Sequence, residues 1–147
     1  MDTTQIPPDF KEFLRLLSAH DVRFLLIGDY AVNAFGYIRN TIDIDVWIDS
    51  DPNNQVRVIQ AVREFGFSST GDDVLDDPKA VLRMGLPPLR IEVLKIISGV
   101  EFNDCWTRHV ELQLDEFVVP MISLSDLKAN KRASGRPKDL VDLHELP

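Results

Sequence analysis

The stretch Thr41-Ile42-Asp43-Ile44-Asp45-Val46-Trp47-Ile48 decides how this chain is read, because two acids sit inside a run of β-branched and aromatic residues that reads as a buried strand. Side chains at i and i+2 of a strand share a face, so Asp43 and Asp45 project together while Ile42, Ile44 and Val46 pack on the other side. Adjacent carboxylates repel, and burying either one is costly without a cation or a dense set of donors. A hard divalent metal with oxygen ligands is a common natural solution. Taken alone, the pair would better suit turn or edge-strand acids facing water.

The flanking sequence argues for the metal. Upstream, Phe24-Leu25-Leu26-Ile27 is a short apolar strand that runs into Gly28-Asp29, and the segment from Tyr30 to Gly36 then opens as a helix. A helix N-terminus offers unpaired backbone N–H groups, and a glycine lets phosphate oxygens approach the backbone closely, so Gly28 is a candidate phosphate seat. Arg39, in the turn leading back to the aspartate strand, could reach the same phosphate. Downstream, Leu89 to Ile97 reads as a strand whose only acid is Glu92. It lies on the face opposite Ile91 and Val93, together with Arg90 and Leu94. Three acids then converge from two strands, with a simple ion pair from Glu92 to Arg90 or Lys95 as the structural alternative.

Composition narrows the class. With 147 residues, 44% of them hydrophobic, the chain suits one core and is too short for two, so 1–147 is expected to be a single domain. Twenty-four acidic against sixteen basic residues give a net charge of −8, which argues against broad non-specific binding to nucleic acid. Locally, Lys128, Lys131, Arg132, Arg136 and Lys138 form a basic cluster, whereas Asp72, Asp73, Asp76 and Asp77 form an acidic loop. The basic cluster fits a nucleotide, an RNA end or a protein partner, or else a solvated helix face paired with Asp139 and Asp142. No apolar run reaches membrane-spanning length and nothing reads as an export signal, so no membrane and a cytoplasmic setting are expected. Cys105 is the only cysteine and is expected to be buried; His20, His109 and His144 show no ligand spacing. Tyr37 and Trp47 read as packing groups.

Punctuation gives the remaining elements. Asp9 and Glu12 form a capping-box-like pattern ahead of an amphipathic helix carrying Phe10, Phe13, Leu14, Leu16 and Leu17. After Asp51-Pro52, the residues Val56, Ile59, Val62 and Phe65 mark the apolar stripe of a second covering helix that ends at Gly66. Val81 to Gly85 is a candidate strand forming an antiparallel hairpin with the Glu92 strand. Glu101 to His109 reads as a short helix and Phe117 to Val119 as a brief strand. Ser123 with Asp126 opens another helix, and Pro137 suits the first turn of a last one. The expected architecture is α/β in the α+β sense, a small mixed sheet with helices packed against it.

These residues resemble the DNA polymerase β nucleotidyltransferase superfamily, in particular its small minimal nucleotidyltransferases and AbiEii-type toxin group. The matching pieces are Ile27-Gly28-Asp29-Tyr30-Ala31, the run from Gly36 through Arg39 and Thr41 to Asp43 and Asp45, then Glu92, and the closing segments 122–131 and 135–143. No single piece is specific, but the ordered combination is. The resemblance implies a nucleotidyltransferase-like fold and metal-dependent transfer of a nucleoside monophosphate from a nucleoside triphosphate to a hydroxyl of an RNA, a protein or a small molecule. It implies Mg²⁺ or Mn²⁺ on Asp43, Asp45 and Glu92, which also serve as the catalytic acids. Gly28, Asp29, Arg39, Lys131 and Arg136 would bind the nucleotide, and a toxin–antitoxin pair would supply an antitoxin or toxin partner. Two positions depart from the pattern. Asp29 stands where the family carries a second small residue, and Phe35 where relatives often carry a histidine. Two like charges about 4 Å apart interact by roughly 4 kcal/mol at an effective dielectric near 20. Asp29 facing a triphosphate therefore motivates the alternative of a catalytically impaired relative that binds a protein partner.

Overall fold

The computed structural model describes residues 6–38, 43–85 and 90–147. Arg39, with the rest of the 39–42 turn, lies outside the described residues, as does Leu89 at the head of the Glu92 strand. In chain order the elements are α1 (Pro8–Ala19), β1 (Phe24–Ile27), α2 (Gly28–Ala34), β2 (Asp43–Ile48), α3 (Pro52–Phe65), β3 (Val81–Met84) and β4 (Arg90–Leu94). They continue with α4 (Phe102–Arg108), β5 (Val110–Leu114), β6 (Phe117–Met121), α5 (Leu124–Ser134) and α6 (Pro137–Glu145). The six strands form one mixed sheet in the order β3-β4-β2-β1-β6-β5. The fold is α/β in the expected sense, a mixed sheet flanked by helices.

Pairing at the centre of the sheet positions the acids. β2 runs antiparallel to β1, which sets Ile27 opposite Asp45, and parallel to β4, which sets Asp43 opposite Arg90 and Asp45 opposite Glu92. β3 and β4 form the antiparallel hairpin expected from sequence. Ile44, Val46, Ile91 and Val93 are buried, whereas the alternating Asp43, Asp45, Arg90 and Glu92 are only partly so. The apolar side of this alternation meets α1 and α3, which pack on each other and join Phe10, Phe65, Met84 and Ile91 around one cleft. The acids consequently look out from the opposite face.

Two details of the helices differ from the sequence expectation. Asp9 does not cap α1: Pro7 is the N-cap, Pro8 opens the helix, and Glu12 instead binds Arg15 at 2.6 Å. A proline at the first position already removes one of the donors a cap would satisfy. In α3, Val56 is 54% exposed, and the buried stripe runs through Asn54, Val58, Ile59, Ala61 and Val62. Asn54 earns its buried place by receiving the Arg23 amide and donating to the carbonyls of Arg23 and Asp49. β5 has no counterpart in the sequence reading. It is an edge strand whose residues are mostly exposed, so it lacks the apolar alternation that marks a half-buried strand.

Other expectations hold. Cys105 is fully buried, and burial followed by the nearby Asp126 carboxylate pushes its thiol up to about 12, which disfavours the thiolate. Trp47 is buried in the core, its indole N–H donating to the Lys95 carbonyl at 3.1 Å. Ser123 accepts from the Asp126 amide at 3.2 Å and Pro137 opens α6. Among the described residues no helix is long and apolar enough to cross a membrane.

Candidate active site

The acids sit at the floor of a cleft of about 280 Å³. Asp45 and Glu92 form its base, Gly28 and Ile27 one side, and Lys131, Ser134 and Arg136 the other, with Leu94, Ile96 and Ile97 as an aliphatic wall. Five of the eight site residues proposed from sequence therefore line one space. Asp43 stands beside it on β2, two residues from Asp45, and Asp29 follows Gly28 at the start of α2. Arg39 alone among the eight is outside the described residues.

Gly28 is required by geometry. Its φ is +69°, and a Cβ placed there would stand 2.4 Å from Asp45 Oδ2. Any larger residue would be strained in its backbone and would drive into the carboxylate. The closeness leaves backbone rather than a side chain against Asp45, so a ligand in the cleft can approach the main chain directly.

Electrostatics mark Asp45 as the most perturbed acid of the site. Burial, then the negative charges of Glu92, Asp29 and Asp43, push its carboxyl up to about 7, with Lys138 pulling weakly the other way. This is what burial among neighbouring carboxylates does to an acid. Arginines partly offset the negative charge: Arg90 Nη2 donates to Asp43 Oδ2 at 2.9 Å, its Nε lies 3.5 Å from Glu92 Oε1, and Arg83 Nε donates to Glu92 Oε1 at 3.2 Å. Lys95 does not pair with Glu92; it is buried and donates to the carbonyls of Leu75 and Asp77 at 2.6 and 3.2 Å. Among the described residues no three His, Cys, Asp or Glu side chains stand converged as a metal cage.

The basic side of the cleft is anchored from behind. Lys131 is buried on α5 with its Nζ 2.9 Å from Asp142 Oδ2 and 3.3 Å from Asp139 Oδ1. Arg136, the N-cap of α6, donates to Asp139 from its backbone N–H and its guanidinium. Burial drives the Asp139 carboxyl upward, but hydrogen bonds from Arg136 and Ser134 and the charge of Lys131 outweigh it and hold the group well below the ordinary carboxylate range. The α5–α6 pair is thus locked together through ions that also face the cleft. Lys131 is an internal strut at the cleft wall rather than a solvated cation.

Asp29 is offset in a way sequence separation conceals. Lys138 Nζ lies 3.0 Å from Asp29 Oδ1, a contact across 109 positions that brings α6 over the start of α2. The repulsion expected between Asp29 and an incoming anion is reduced by that ammonium. Lys138 and Arg83 are the site residues the sequence reading did not single out for the acids. Arg83 faces Glu92 across the β3–β4 register, and a hairpin drawn with its register would have found it.

No curated protein matches the chain. Solved structures do. A protein of Thermotoga maritima assigned as a nucleotidyltransferase (TM1012) superposes with a TM-score of 0.63 at 14% identity, covering 97% of this chain and 95% of its own. The lincosamide antibiotic adenylyltransferase LnuA, in its lincomycin-bound form, superposes with a TM-score of 0.59 at 16% identity, covering 95% of this chain and 94% of its own. These likenesses show the fold. The family described as nucleotidyl transferase of unknown function (DUF2204) matches residues 8–146, nearly the whole chain, and with the acids, the glycine and the basic wall in one cleft the chain belongs to that nucleotidyltransferase family.

Proposed function

We propose that the protein is a metal-dependent nucleotidyltransferase that moves a nucleoside monophosphate from a nucleoside triphosphate to a hydroxyl. The observation that carries this reading is the register of β2 and β4, which sets Asp45 beside Glu92, with Asp43 on the same face, at the floor of a cleft walled by Gly28 and Arg136. The donors are of the type a hard divalent cation takes, all carboxylate oxygens, and the charges of Glu92, Asp29 and Asp43 that add to burial in raising the Asp45 carboxyl are ones such an ion would offset. Asp43, Asp45 and Glu92 would hold Mg²⁺ or Mn²⁺. When bound, the ion neutralises charge on the transferring phosphoryl group and acidifies the attacking hydroxyl.

The chain's own residues supply the rest. The Gly28 backbone, free of a side chain, lets the triphosphate lie close above Asp45, and the Arg136 guanidinium faces its oxygens from the opposite wall. Lys131 keeps that wall in place through Asp139 and Asp142 and adds its charge to the field at the phosphates. In the reaction the hydroxyl oxygen bonds to the α-phosphorus, the bond to pyrophosphate breaks, and the hydroxyl proton passes to a Glu92 carboxylate oxygen. Arg39 belongs to the same proposal as a phosphate ligand.

LnuA acts on an antibiotic, and the aliphatic wall of Leu94, Ile96 and Ile97 suits a small-molecule acceptor with an apolar part; RNA and protein hydroxyls are the other candidates. The AbiEii-type resemblance supports a cytoplasmic toxin–antitoxin setting with a protein partner. The impaired-relative reading rests on Asp29, and the Lys138 ion pair removes much of its force. The test is transfer of label from α-labelled nucleoside triphosphates, with Mg²⁺ or Mn²⁺, to small-molecule, RNA and protein acceptors. Transfer that Asp43→Asn abolishes supports the enzyme. Absence of transfer to every class would return the protein to the partner-binding reading.

A further inference from the structure

The three acids do not meet as bare carboxylates. Because Asp43 opposes Arg90 across the parallel β2–β4 pair, and Glu92 lies two residues beyond Arg90 on the same face, the guanidinium falls within the row of acids. It donates to Asp43 at 2.9 Å, yet its Nε is buried, 3.5 Å from Glu92, and makes no hydrogen bond there. An arginine built purely as a strut commonly makes a bidentate, fully satisfied pair. One fitted hydrogen bond, to Asp43, holds the group, and its contact with Glu92 is one of charge alone. The carboxylates it touches, Asp43 and Glu92, are two of the three that the metal reading uses.

We propose that Arg90 is an internal counter-ion that competes with the divalent metal for Asp43 and Glu92 and, once displaced from them, turns to the phosphates of the nucleotide. This rests on the metal-dependent reading above. A divalent ion on the same two carboxylates repels the guanidinium and takes over the negative charge that holds it, so metal loading favours release of Arg90. A triphosphate in the cleft offers the released planar fork pairs of phosphate oxygens in exchange. Metal and nucleotide then favour each other's binding through one side chain, a coupling between two ligands. Arg90 is a positioning residue in this scheme, and the same exchange keeps the acids neutralised while the cleft holds no nucleotide.

The test titrates Mn²⁺ alone into the full chain, following free Mn²⁺ by electron paramagnetic resonance. It then titrates α,β-methylene analogues of the four nucleoside triphosphates at saturating Mn²⁺. Arg90→Gln is expected to bind Mn²⁺ at least tenfold more tightly and the preferred analogue at least fivefold more weakly, opposite directions that a merely structural loss would not produce. Arg90→Lys, which keeps the charge but cannot span both acids, is expected between wild type and Arg90→Gln in both titrations. Arg83→Gln, which removes an exposed cation from Glu92 alone, is expected to change Mn²⁺ affinity less than threefold. If Mn²⁺ binds and Asp45→Asn abolishes it, but neither Arg90 variant tightens it, this inference fails while the metal-dependent reading stands. If Mn²⁺ does not bind, or binds equally well to Asp43→Asn plus Asp45→Asn, both fail together.

Discussion

Asp45 carries a testable cost of the site. Its carboxyl is pushed from 3.8 up to about 7 by burial and then by Glu92, Asp29 and Asp43, so the folded chain prefers it protonated. In the metal-free protein that preference stabilises the fold fully below about pH 4 and is lost as pH rises to about 7, a change of up to roughly 4 kcal/mol. Urea denaturation at pH 5 and pH 7.5 is expected to show this fall, and Asp45→Asn is expected to flatten it. Asp139 works with the opposite sign: held below its ordinary range, it adds stability above about pH 4 that is lost in acid. Gly28→Ala is expected to destabilise by about 1–3 kcal/mol and to abolish nucleotide binding, because the residue needs φ +69° and its Cβ would meet Asp45 Oδ2. Asp43, Asp45, Gly28 and Glu92 were legible in the sequence because period-two alternation and a strand-ending glycine are local signals. The Asp29–Lys138 pair was not, since nothing local connects positions 109 residues apart.

At the scale of elements, α5 and α6 behave as one unit clamped by Lys131, Asp139 and Asp142, all buried. Replacing the lysine by an apolar residue of similar length removes the ammonium that two buried carboxylates share. Lys131→Met is expected to lose about 3–5 kcal/mol, read from the urea midpoint at pH 7, with loss of the cleft wall that Arg136 shares. The sequence already placed both helices, through the Ser123 cap and Pro137, and offered the pairing with Asp139 and Asp142 as one reading of the basic cluster. It could not choose between a clamp and a nucleotide grip, because burial of Lys131 follows from tertiary packing. The β3–β4 hairpin and the covering helices α1 and α3 were legible from apolar spacing and glycine or proline breaks. The edge strand β5 was missed because its residues are exposed, and Val56 was misassigned because the Asn54 side chain takes the buried place through hydrogen bonds to backbone.

For the whole molecule, a sheet with α1 and α3 on its apolar side leaves the other side of the central strands free to gather the acids, and α5 and α6 close over that side with cations. The mixed order β3-β4-β2-β1-β6-β5 puts the two acid-bearing strands, β2 and β4, next to each other, and β2 next to β1, which runs into Gly28. This arrangement is the physical basis for membership in a nucleotidyltransferase family at sequence identities where the likeness to solved structures shows only the fold. The central claim is that this cleft binds a nucleoside triphosphate through a metal held by Asp43 and Asp45. Calorimetric titration of ATP, GTP, CTP and UTP, each with Mg²⁺ or Mn²⁺ and each with chelator, tests it most directly, with Asp43→Asn plus Asp45→Asn beside the wild type. The account predicts binding of at least one nucleotide that needs the metal and disappears in the double variant. Absence of binding by all four, or binding that ignores both the metal and the two aspartates, would contradict it.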